Sequence, residues 1–208
     1  MDWHAWHTDY DADTPLARRL ILVQARIREA VAASPAGPIR VLGMCCGDGR
    51  DILGALGGHP AAARIRGRLV ELDADLAARA RARAARIAPG LEVVTADAGW
   101  TDAFAGATPA DIVLACGVFG NISDADVEGT VRRLPMLVGP GGSVIWTRHR
   151  REPDLTPAVR EWFVTAGFSE LSFEAVPDSY SSVGVHRLVG PALPFASGIR
   201  LFEFTRTA

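Results

Sequence analysis

Several short stretches carry residue types able to hold or react with a small ligand, and each follows an apolar run. The first is VLGMCCGDGRD, residues 41 to 51. Gly47 and Gly49 let the chain turn tightly and lie close to a ligand, and a helix starting beyond them would offer its unpaired N–H groups in the same direction. The pattern falls short of a dinucleotide-binding GxGxxG, because from Gly47 it runs Gly-Asp-Gly-Arg-Asp-Ile. Glu71 stands 22 residues beyond Gly49, and its two oxygens can accept both hydroxyls of a ribose, which favours an adenosine-type ligand. Asp97-Ala98 and Cys116-Gly117 close two later runs. A fifth run ends in Thr147-Arg148-His149-Arg150-Arg151, where an imidazole of ordinary pKa near ~6.5 can take up a proton. A solvated basic turn pairing with Glu152 and Asp154 is an equal reading of that stretch. His186 is a second candidate base.

Cys45 and Cys46 are adjacent in the first loop. Neither has a CxxC partner or a nearby base in sequence, so they read as small loop residues rather than reagents; a helix N-terminus that lowers a thiol pKa keeps the reactive reading open. His4 and His7 lie three apart without a third ligand, so no metal is expected.

Composition narrows the chemistry. The chain has 208 residues, 49% of them hydrophobic, enough for one well-buried core. All 22 Lys+Arg residues are arginine, which removes Schiff-base chemistry, a P-loop lysine and a lysine base. A net charge of -2 supplies no field toward nucleic acid or an anionic membrane. Three cysteines, no secretory start and no apolar run near the ~20 residues of a membrane span point to a cytoplasmic protein. The Ala/Arg-rich LAARARARAARIA reads as a solvated helix, with Leu76, Ala80, Ala84 and Ile87 on one face.

The elements that must position these residues follow from periodicity. An amphipathic helix over 16 to 33 carries Leu16, Leu20, Val23, Ile27 and Val31 on one stripe. Then strand and helix alternate: IRVLGM, RDILGALG, RLVELD, ADLAARARARAARIA, LEVVT, ADIVLAC, DADVEGTVRRLPMLV with a bend at Pro135, GSVIWTRH and PAVREWFVTAG. Such alternation predicts right-handed crossovers and a mostly parallel sheet covered on both faces. Two closing strands, SELSFEAV and IRLFEFT, have only the glycine- and proline-rich PDSYSSVGVHRLVGPALPFASG between them, which predicts an antiparallel pairing. Ligands of open sheets bind beyond the carboxyl ends of the strands, where the candidate residues stand.

In this element order the chain, over roughly residues 39 to 208, resembles the class I S-adenosylmethionine-dependent methyltransferases. Cys46, Gly47 and Gly49 agree with that family's first motif, while Gly43 replaces its usual acid and Cys45 its usual first glycine. The resemblance implies an α/β, Rossmann-like three-layer sandwich with a mostly parallel seven-stranded sheet and an antiparallel last strand. Length and hydrophobic content predict one domain over 1–208, with 1–36 as a lid and helix region and 37–208 as the core. The resemblance further implies that Cys45, Cys46, Gly47 and Gly49 pass along the methionine half of S-adenosylmethionine. Glu71, with Leu72 beside it, would hold the ribose, Asp97 and Ala98 the adenine, and Cys116 and Gly117 would line the methionine end.

Methyl transfer also needs a dry pocket and, for a hydroxyl or protonated amine, a base. The aromatic amino terminus WHAWHTDYD is a candidate lid, bringing Tyr10 to the cofactor and Trp6 and His7 to the acceptor; simple docking onto the core is an equal reading. Arg19 lies on the apolar stripe of the first helix, so its charge requires a partner, either the cofactor carboxylate or Asp11 or Asp13. Phe119, Asn121 and Arg148 would border the acceptor, and His149 or His186 would act as base. The expected activity is methylation of a small molecule by a monomer or homodimer, with no nucleic acid or membrane partner. Alternatives are a non-catalytic adenosyl-ligand sensor or scaffold, an RNA or protein methyltransferase, and a nucleotide-dependent reductase. The stretch Cys116-Gly117-Val118-Phe119 lacks the Asn/Asp-Pro-Pro-aromatic motif of exocyclic-amine enzymes.

Overall fold

The computed structural model describes residues 14–205. Seven strands form one sheet: β1 (Ile39–Gly43), β2 (Ile65–Glu71), β3 (Leu91–Thr95), β4 (Ala110–Ala115), β5 (Val138–His149), β6 (Phe168–Ala175) and β7 (Ser181–Leu188). Their order is β3-β2-β1-β4-β5-β7-β6. β1 pairs in parallel with both β2 and β4, and β7 runs antiparallel between β5 and β6. The helices are α1 (Pro15–Ala33), α2 (Arg50–Leu56), α3 (Ala74–Ile87), α4 (Asp124–Arg133) and α5 (Thr156–Thr165).

Two cores cover the two faces. On one, Val23, Ile27 and Val31 of α1, Ile52 and Leu53 of α2, and Ala77, Ala80 and Ala84 of α3 pack on the sheet. On the other, Val127 and Val131 of α4 and Val159 and Phe163 of α5 meet Trp146, Phe119 and Phe202. The apolar stripes sit at helical spacing, so burying them fixes which side of each helix faces the strands. Helix starts are capped as their residues dictate: the side chains of Thr14, Asp73 and Ser123 accept from first-turn amides, and Pro15 takes a position whose N–H would have no partner. Pro135 ends α4 rather than bending it, since a tighter 3-10 turn spans Leu134–Met136. None of the described helices is long and apolar enough to cross a membrane.

The seventh strand is not IRLFEFT but Ser181–Leu188, inside the segment read as a loop. Gly184 there is not a strand breaker. It lies opposite Trp146, and a Cβ at 184 would fall 2.3 Å from the indole ring. Residues 199–205 instead form an extended strap whose Leu201 and Phe202 enter the second core. Among the described residues the strap pairs through single antiparallel bridges, Arg200 with Trp100 and Phe204 with Ile122. Trp6, His7, Tyr10, Asp11 and Asp13 lie outside the described residues.

Candidate active site

Strand order reverses between β1 and β4, so the chain leaves these two neighbours in opposite directions and a crevice opens at their carboxyl ends. The loop after β1 turns through left-handed conformations at Cys45 (φ 51°), Gly47 (φ 57°) and Gly49 (φ 75°). It is pinned to the next strand by Cys46 N–H donating to the Val70 carbonyl at 2.9 Å. Gly47 N–H donates to Glu71 Oε2 at 2.7 Å, and Asp73 N–H to Oε1 at 2.9 Å. Glu71 is 9% exposed, so its carboxylate faces the loop and retains lone pairs for further donors. Asp48 braces the same loop through Arg50 at 2.8 Å and Arg83 at 3.1 Å.

Beside Glu71, Leu72 presents an apolar side chain that is 68% exposed. After β3, Asp97 Oδ1 accepts from Gly99 N–H at 2.8 Å and Oδ2 from Arg200 at 3.3 Å, while Ala98 is buried. The Arg200 guanidinium also lies 4.9 Å from the centre of the Trp100 ring. Nothing local in the sequence links position 200 to 97; the strap's backbone bonds, Leu201 N–H to Gly99 and Thr101 N–H to Ile199, bring them together.

All three thiols are held protonated. Burial raises Cys45 and Cys46, and Glu71 adds to both. Burial likewise raises Cys116, followed by Asp51, whose carboxylate bonds the thiol. A protonated thiol is a poor nucleophile at neutral pH. Asp51 is a charged group that the sequence reading passed over. Burial raises its carboxyl pKa, and the neighbouring Arg19 opposes that rise; an acid in the first turn of α2, next to the glycine loop, was the available signal.

Across the crevice lies a cavity of about 120 Å³. The turn after β4 contributes Gly117, Gly120 and Asn121; the end of β5 gives Thr147, Arg148 and His149; α1 gives Arg19 and β7 gives Ser181. Five expected residues, Arg19, Gly117, Asn121, Arg148 and His149, therefore meet at one place. Gly117 N–H donates to Thr147 Oγ1 at 2.8 Å, and Asn121 Nδ2 to the Gly117 carbonyl at 2.7 Å, which ties the turn to β5. Gly117 has φ 77°, and a Cβ there would meet nothing within 4 Å, so this wall is open.

Two expected residues are elsewhere. Phe119 does not border the cavity: it is fully buried, 5.9 Å from Trp146 and 6.5 Å from Phe163 between ring centres, because its side chain points into the second core. His186 is not in a connecting loop but inside β7, with no exposed surface. Its Nδ1 accepts from Trp146 Nε1–H at 3.1 Å, its ring stacks 4.2 Å from Phe163, and burial lowers its pKa to about 4. No reacting group can reach it, so it is a core histidine.

No family model and no curated protein matches the sequence. Solved structures match it in shape. Magnesium protoporphyrin IX methyltransferase from Synechocystis PCC 6803, with bound S-adenosylmethionine, aligns with TM-score 0.65 at 13% identity over 82% of this chain and 80% of that one. The [4+2]-cyclase SpnF aligns with TM-score 0.62 at 14% identity over 86% and 82%. TrmN from Thermus thermophilus aligns with TM-score 0.58 at 24% identity over 81% and 48%. The chain has the fold of the class I S-adenosylmethionine-dependent methyltransferases.

Proposed function

We propose that the protein is a methyltransferase that binds S-adenosylmethionine and methylates a small molecule. The observation that carries this is the buried Glu71 carboxylate, bonded at 2.7 Å to the Gly47 amide and placed across the β1/β4 reversal from the cavity around Gly117 and His149. The residues suit such a ligand. Glu71 has acceptor capacity left for ribose hydroxyls, Leu72 offers an apolar face to a purine, and Asp97 keeps a partly exposed carboxylate for an amino group. When bound, S-adenosylmethionine supplies a methyl group on a sulfonium, a carbon electrophile.

The chain's own residues would do the rest. The loop from Cys45 to Gly49 gives its backbone to the methionine half, and the absent side chain at Gly117 leaves the way open to the acceptor. His149 takes the proton from an acceptor hydroxyl as the new bond forms, or from an acceptor ammonium before its nitrogen attacks, and Arg19 faces the charged end of either ligand. Calorimetric titration tests the reading: S-adenosylhomocysteine should bind, and Glu71→Ala should weaken it at least tenfold, or about 1.4 kcal/mol. Unchanged affinity in that variant would remove the assignment.

The likeness to a [4+2]-cyclase favours one second reading, an adenosyl-ligand protein on this fold that does not transfer methyl groups. Transfer of a labelled methyl group to any product excludes it.

A further inference from the structure

We infer that the cavity at the ends of β4, β5 and β7 is an anion subsite that receives a carboxylate carried by the methyl acceptor. This rests on the methyltransferase reading and assigns its acceptor a chemical class. The cavity lies on the β4 side of the strand reversal, opposite Glu71 and Asp97, so it is separate from the adenosine half. Among the described residues no acidic side chain lines it, whereas Arg19, Arg148 and His149 do. Its other polar groups, on Asn121, Thr147 and Ser181, are uncharged.

Arg148 supplies the sharper argument. Its side chain is 7% exposed; Nη1 donates to the Phe119 carbonyl, and Nη2 to Asp124 Oδ1 at 3.0 Å. Its Nε is buried and has no hydrogen-bond partner among the described residues. A buried guanidinium N–H left without an acceptor is costly; the Nε atoms of Arg18, Arg26, Arg150 and Arg187 share that feature, and Arg148 is the one of the five that lines the cavity. Asp124 is the charged partner of Arg148, but its side chain is 61% exposed and its field is screened by solvent. Asp51 faces Arg19 from α2, where burial opposes its ionisation. A carboxylate in the cavity would accept from Arg148 and Arg19 together, the geometry for which guanidinium groups are suited. A volume of about 120 Å³, roughly four waters, fits a short carboxylate-bearing group.

The test uses full-length protein saturated with S-adenosylhomocysteine, so that the cofactor's own carboxylate site is filled. Butyrate and butyramide, equal in size and different in charge, are titrated by ligand-observed NMR. Butyrate should bind at least tenfold more tightly. Arg148→Gln should abolish the preference, and because Arg148 also anchors the turn after β4, Arg19→Gln provides a second variant, expected to reduce the preference at least threefold. Equal binding of the two probes, no measurable butyrate binding, or a preference surviving in both variants would overturn the inference. Failure of S-adenosylhomocysteine to bind would remove the methyltransferase reading and this inference with it. Bound S-adenosylhomocysteine with no butyrate preference would remove this inference alone.

Discussion

The two halves of the crevice are built by different means. On the β1–β3 side the walls are mostly backbone: Cys45, Gly47 and Gly49 turn left-handed, and one carboxylate, Glu71, ties the turn to the next strand. On the β4–β5–β7 side the polar lining comes from side chains of four elements, Arg19, Asn121, Thr147, Arg148, His149 and Ser181, with Gly117 and Gly120 between them, and the turn is held by Gly117, Thr147, Arg148 and Asn121 bonding one another's chain segments. A backbone cradle presents the same groups whatever the side chains, which suits a constant ligand. A side-chain cavity can change its preference by single substitutions, which suits a ligand that differs between relatives.

The largest expected effect strikes the side-chain half. Trp146 precedes the cavity residues of β5, is fully buried, and touches Phe119, Phe163, Phe173 and His186. Trp146→Ala should cost about 3–5 kcal/mol in urea unfolding. The surviving folded protein should bind S-adenosylhomocysteine within about threefold of wild type (~0.6 kcal/mol); a large loss of that affinity would show that the halves are not independent.

A pH effect separates the halves next. Burial lowers the folded pKa of His186 from 6.5 to about 4, so between these values the unfolded chain takes up a proton that the folded chain refuses. Stability therefore falls as pH drops from 6.5 toward 4, by at most about 3 kcal/mol. Glu170 adds a separate loss at lower pH, because its pairing with Arg160 lowers its pKa from 4.5. Urea midpoints between pH 7 and 5 should fall in wild type and fall less in His186→Gln, whose amide oxygen can still accept from Trp146. Parallel curves for the two proteins would contradict the burial argument.

Within the backbone half, Glu71→Gln keeps the size of the side chain and removes its charge. It should weaken S-adenosylhomocysteine about tenfold, near 1.4 kcal/mol, while the butyrate preference of the other half stays. Loss of both together would mean that Glu71 organises the whole crevice.

Legibility followed the same division. Helical stripes and parallel strands stood out because each buries a regular set of positions, and the residues of the backbone half lie at strand ends that periodicity alone locates. β7 did not stand out, because it is buried on both faces and so shows no alternation, and because Gly184, Ser181, Ser182 and His186 are residues more common in loops. Ser181 for that reason carries no signal of a wall residue, and nothing in the sequence separates His186 from a reachable base. Phe119 and Asn121, two apart in one turn, point to the core and to the cavity respectively, a distinction that depends on turn geometry rather than residue type. Arg200 reaches Asp97 from 103 residues away in sequence, and no local pattern records such a contact.

The smallest effect probes the one left-handed position of the backbone cradle that is not glycine. Cys45 holds φ 51°, a left-handed conformation that costs a residue with a Cβ roughly 1–2 kcal/mol. Cys45→Gly removes that cost but gives the unfolded chain more freedom and gives up the packing of the thiol against the second core. The terms oppose each other, and the conformational one should prevail by about 0.5 kcal/mol, seen as a slightly higher urea midpoint. S-adenosylhomocysteine should bind no more weakly, since the loop offers its backbone and the side chain is dispensable. A loss of more than about 1 kcal/mol on either measure would mean that the Cys45 thiol is a working part of the site, and the division between a backbone half and a side-chain half would then fail at its first residue.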